Sequence, residues 1–174
     1  MKNLGLSGYS EKFLKILTKQ GNLNPLVFNK YQLYMDRKIK DIELSGRPVR
    51  IIVLKARQIG ISTFSAANVY FRTATKKYQK GVVIANDIDN TNNLFTMCKR
   101  YWSFSPEFIR PMKRRENSKA LVFENPEDKS RKSSPGLLSS IHLESANKLT
   151  AGRSGTIHHL HCSEVAYWTN ASRS

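Results

Sequence analysis

The stretch Lys55-Ala56-Arg57-Gln58-Ile59-Gly60-Ile61-Ser62-Thr63 constrains the fold more than any other part of this chain. It follows an apolar run, Ile51 to Leu54, and precedes a helix-like stretch from Phe64 to Thr73. Strand, short polar loop with glycine, hydroxyl residue and helix is the layout of a phosphate-binding loop. Set against G-x-x-x-x-G-K-[ST], Gly60 and Ser62 fit the end of the pattern, and Lys55 stands where the first glycine would be. Ile61 occupies the place of the usual lysine.

The rest of the chain reads as alternating strands and helices. Residues 8–20 place Phe13, Ile16 and Leu17 at helical spacing, with Ser10 as N-cap, and Phe28 to Leu44 reads as a second helix. Arg50 to Leu54 is apolar and β-branched, fit for a central parallel strand. Ser62 to Thr75 is its helix. Gly81 to Ala85 is a second strand, and Asn86 to Asp89 cap a helix running to about Trp102. Ala120 to Glu124 reads as an edge strand, with further strands at Leu137 to Leu143 and Thr156 to Cys162. The expected fold is α/β: a mainly parallel sheet with helices on both faces, preceded by N-terminal helices. Residues 1–45 form the helical segment and residues 46–174 the core.

The formal net charge is +16, from 29 Lys and Arg against 13 Asp and Glu, which calls for a polyanionic partner, most simply nucleic acid. The clusters Lys76-Lys77-Lys80, Lys113-Arg114-Arg115 and Lys129-Arg131-Lys132 could track phosphates, but they lack the aromatic interleaving of a single-strand binder. Cys98 and Cys162 form neither a disulfide framework nor zinc spacing. The N-terminus has no signal-peptide core, and no apolar stretch is long enough for a membrane span. A reducing cytosol is the expected setting, without secretion.

A phosphate loop must present backbone N–H groups to phosphate oxygens, a cation to the β- and γ-phosphates, and a hydroxyl to Mg²⁺. Gly60 permits close backbone approach, Ser62 or Thr63 supplies the hydroxyl, and Arg57 or Lys55 the cation. Hydrolysis also needs an acid at the end of a neighbouring strand. Ile157 to Glu164 supplies one in Glu164. His158, His159, His161 and Cys162 do not make a metal site, because alternation along a strand sends them to opposite faces.

Together, Lys55 to Thr63 and His161-Cys162-Ser163-Glu164-Val165-Ala166-Tyr167-Trp168 resemble the Walker A and Walker B segments of bacteriophage large terminase subunits. The resemblance spans roughly residues 28–168. It implies a P-loop NTPase-like fold and an ATPase using ATP and Mg²⁺ to drive double-stranded DNA into a procapsid. Partners would be further copies in a ring, the portal protein and the small terminase subunit, in the cytoplasm of the bacterial host. The family's shifted basic residue matches Arg57, followed by Gln58, and its catalytic glutamate matches Glu164. The nucleotide contacts implied are Lys55, Arg57, Gln58, Gly60, Ile61, Ser62 and Thr63. Asn29-Lys30-Tyr31-Gln32 is similar to the family's adenine-reading element, with Gln32 on the base edge and Tyr31 stacking. Arg153, in the loop Ala151 to Gly155, matches a finger reaching a neighbour's ATP. Ala85-Asn86-Asp87 resembles a segment facing DNA or nucleotide.

The chain also departs from the family. Ser163 replaces the Walker B aspartate, so Mg²⁺ would be held by the Ser62 hydroxyl and, through water, by Ser163. The chain stops ten residues after Glu164, so the expected core is incomplete at its C-terminus and the nuclease domain is absent. The alternatives are a related helicase or translocase motor, or a basic nucleic-acid-binding domain with a vestigial nucleotide site.

Overall fold

The computed structural model describes residues 4–18, 20–85, 88–117, 119–146 and 155–168, with the backbone alone for 88–91. In chain order the elements are α1 (Leu6–Phe13), β1 (Lys15–Leu17), β2 (Leu23–Pro25), α2 (Lys30–Leu44), α3 (Ile61–Thr75) and β3 (Lys80–Ala85). They continue with α4 (Ile88–Phe104), β4 (Arg115–Glu116), β5 (Ala120–Glu124), β6 (Gly136–Ser145), β7 (His159–Cys162) and a short 3₁₀ turn, Val165–Tyr167. The architecture is mixed α/β.

The main sheet has the order β4-β5-β6-β3-β7. Strands β6, β3 and β7 are parallel, whereas β4 and β5 join antiparallel on one side. Strand β3 is central and buried on both faces, as its unbroken apolar run requires. Gly81 lets α3 approach it: a Cβ there would stand 2.6 Å from Val69 Cγ1. The core lies between this face of the sheet and the helices. Val83, Ile141, Leu143, Leu121 and Phe123 meet Val69 and Tyr70 of α3 and Leu94, Phe95 and Tyr101 of α4. Each such side chain contributes roughly 1.5–3 kcal/mol through burial. Rings interlock, Tyr70 with Tyr101 at 5.7 Å and Phe28 with Phe64 at 5.2 Å.

Four expectations need correction. The first concerns Arg50 to Leu54, which forms no strand; Ile52 and Leu54 are fully exposed. A strand exists through its ladder, and no described segment pairs with this one, so β-branched composition alone does not make it one. The second concerns the helices. Among the described residues, those that pack on the sheet, α3 and α4, also pack on each other, which puts them on one face. The third is that α1 ends at Phe13 and is capped at Gly5, with Ser10 buried inside it; Ile16 and Leu17 lie in a hairpin with β2. Cross-strand pairing from Lys15↔Pro25 to Leu17↔Leu23 overrides the helical spacing. The fourth is that β5 is not an edge strand, because β4 flanks it. No described helix is long and apolar enough to cross a membrane.

Candidate functional site

The parallel strands of an open α/β sheet end on one side, and ligands gather beyond their carboxyl ends. Here that side carries a cavity of about 150 Å³, lined by Ser62, Asn93, Leu94, Met97, Ser163 and Glu164. Ser62 comes from the first turn of α3, the next three from α4, and the last two from the end of β7. The hydroxyl expected from the loop and the acid expected from the strand end therefore share one space.

The loop bank is built around Gly60, whose φ of 82° lies in the left-handed region. Its carbonyl accepts the first helical bond, from Phe64 N at 3.0 Å. The N–H groups of Ile61, Ser62 and Thr63 open the helix and lack intrahelical acceptors, the standard condition for an anion site. Ile61, in the usual lysine position, is buried and serves the core. Gln58 also has a left-handed backbone, φ 61°, a conformation that costs a residue with a Cβ about 1 kcal/mol or more. Lys55, Arg57 and Gln58 are exposed and do not line the cavity. Thr63 accepts a long hydrogen bond from Tyr101 Oη at 3.5 Å through its carbonyl.

The strand bank hangs on the sheet. Ser163 is buried; its N–H donates to Ile84 O at 2.8 Å, and its carbonyl accepts from Trp168 Nε1 at 3.0 Å. Glu164 follows with φ 55°, a strained backbone that turns the chain beside the cavity. Behind it, His159 and His161 share the α3 face in register with Gly81 and Val83. Burial pushes the His161 imidazole down to about 4, and its buried Nε2 has no hydrogen-bond partner. His159 is also pushed down to about 4, first by burial and then by Arg72. Both rings are neutral at pH 7.

Gln32 is where the structure departs most from the adenine expectation. It is buried, with both amide atoms engaged: Oε1 accepts from Asn29 N at 2.9 Å, and Nε2 donates to Gly60 O at 2.8 Å. Tyr31 is exposed at the start of α2, with Lys30 Nζ 5.0 Å from its ring centre. Arg153, Asn86 and Asp87 lie outside the described residues.

A search of protein-family models finds no match to the chain, and neither does a search of curated proteins.

Sequence reasoning missed two groups. Asn93, Leu94 and Met97 line the cavity from α4. Their only signal was position, on the helix that follows the carboxyl end of a central strand. Asn29 bonds Ile59 O, and its signal was plainer: Asn29-x-x-Gln32 ahead of a periodic run is a capping box.

The oxygen donors around the cavity suit a hard divalent cation, which keeps several waters and takes few protein ligands. Ser62 and Ser163 offer hydroxyls and Glu164 a carboxylate. At about 150 Å³ the space is smaller than a typical pocket for a whole drug-sized ligand.

Proposed function

We propose that this chain is the ATPase portion of a phage-type DNA-packaging motor of the large terminase class. The observation that carries the reading is the meeting of Ser62 and Glu164 on one cavity at the carboxyl ends of the parallel strands.

In this reading the phosphate tail of ATP sits against the first-turn N–H groups of α3. Mg²⁺, held by Ser62 and by water on Ser163, would neutralise charge on the phosphates. Glu164 accepts a hydrogen bond from the attacking water and orients it toward the γ-phosphorus. Arg57, exposed on the loop, turns in to neutralise the developing charge, replacing the lysine that Ile61 displaces. Arg153 acts on a neighbouring copy's ATP within a ring. The net charge of +16 supports non-specific contact with the double-stranded DNA backbone, which the motor would move toward the portal.

The test is steady-state hydrolysis of Mg·ATP by the chain and by Glu164→Gln. The variant is expected to bind Mg·ATP while kcat falls by about 10²-fold or more. Undiminished turnover would remove Glu164 from the chemistry.

A further inference from the structure

The loop that would hold phosphate is scarcely attached to the fold. Among the described residues, the backbone of 48–58 makes no hydrogen bond to any other part of the chain. Attachment begins at Ile59 and Gly60, and it comes from two side-chain amides at the start of α2. Asn29 Nδ2 donates to Ile59 O at 3.1 Å, and Gln32 Nε2 donates to Gly60 O at 2.8 Å.

These amides cannot turn freely. Asn29 Oδ1 accepts from Tyr31 N at 3.0 Å and from Gln32 N at 3.1 Å. Gln32 Oε1 accepts from Asn29 N at 2.9 Å. Each oxygen is thus spent on capping α2, and each nitrogen is left aimed at a loop carbonyl. Flipping either amide would set oxygen against oxygen at the loop and nitrogen against N–H at the cap. Gly60 closes the arrangement, since a Cβ there would stand 2.8 Å from Gln32 Nε2 and 3.3 Å from Asn29 Nδ2. The loop glycine and the two amides therefore require one another.

We propose that Asn29 and Gln32 are positioning residues: a capping box on α2 that also clamps the Ile59 and Gly60 carbonyls and so sets the phosphate loop before any ligand arrives. The proposal rests on the nucleotide-site reading for its purpose, but not for its geometry. Gln32 then serves the phosphate end of the ligand. To read a base edge it would have to leave Gly60 O and Asn29 N, exposing an amide that is 4% exposed here.

Two measurements test it, on Asn29→Ser and Gln32→Met. Serine is a good N-cap, so Asn29→Ser keeps α2 while losing the donor to Ile59. Methionine matches the length of Gln32 but loses both the donor to Gly60 O and the acceptor that receives Asn29 N. The first measurement is limited trypsin digestion of the nucleotide-free protein, following cleavage after Lys55 and Arg57. Release of the clamp is expected to speed cleavage there several-fold, with other sites unchanged. Equal cleavage in wild type and in folded Asn29→Ser would overturn the clamp, whether or not the protein binds nucleotide. The second is calorimetric affinity for Mg·ATP, Mg·GTP and inorganic tripolyphosphate. Loss of one loop hydrogen bond is expected to weaken all three by about tenfold. Loss of ATP binding alone in Gln32→Met, with tripolyphosphate untouched, would make Gln32 a base reader and overturn the proposal. Faster loop cleavage in a protein whose wild type binds none of the three would leave the clamp standing and refute the nucleotide reading instead.

Discussion

The two banks of the cavity are held in opposite ways. The strand bank, β7 with Ser163 and Glu164, is tied into a parallel ladder on β3 and continued by the Ser163 N–H to Ile84 O bond. The loop that leads into the Ser62 bank, residues 48–60, has no ladder among the described residues; its hold is the Asn29 and Gln32 amides and the start of α3. On the proposed reading, a site that binds and releases a charged ligand gains from this asymmetry. One side supplies fixed groups, and the other can yield at the cost of two hydrogen bonds, roughly 1 kcal/mol each.

The largest effect should come from the residue that joins the loop bank to the core. Phe64 is 2% exposed, packs on Phe28, and donates its N–H to Gly60 O. Phe64→Ala removes a buried ring and leaves a cavity, an expected loss of about 3–5 kcal/mol in urea unfolding. A loss under about 1 kcal/mol would mean that the loop is anchored elsewhere.

What could be read from the sequence follows the same division. The Gly60-to-Thr75 unit was legible because its signals are local: a glycine for the left-handed turn, a hydroxyl residue, then helical periodicity. The position of Glu164 was legible because it follows a short strand. The contacts of Gln32 were not, because an amide can face many partners, and only the fold brings it to Asn29 N and Gly60 O. The state of Ile51 to Leu54 was not legible either, since a strand depends on a partner distant in sequence. The hairpin at Ile16 and Leu17 failed for that reason too.

A somewhat smaller effect belongs to the strand bank alone. His161 has a folded value near 4, below the ordinary 6.5 of an exposed imidazole, because burial disfavours its charged form. Its contribution is therefore complete above pH 6.5 and is lost as pH falls toward 4, where the unfolded chain takes up the proton first. The loss amounts to about 3 kcal/mol for so buried a group. The thermal midpoint should drop across that window, and His161→Leu should flatten the drop. The loop bank, without histidine between Pro48 and Gly60, adds nothing to it. An unchanged slope in His161→Leu would assign the acid sensitivity to another group.

The smallest effect is the most pointed test of the asymmetry. Ile52 is fully exposed and its backbone joins no ladder. Substitution at such a position shifts stability by no more than about 0.5 kcal/mol, so Ile52→Thr should unfold in urea at the wild-type midpoint. Thr keeps the β-branch but is smaller and carries a hydroxyl, so backbone preference is held while apolar area is reduced. A buried central strand would respond differently, because a hydroxyl placed there without a partner costs roughly 1–3 kcal/mol. A loss of that size would put Ile51 to Leu54 inside a sheet in solution. The loop bank would then have a ladder of its own, and the difference between the two sides of the cavity would close.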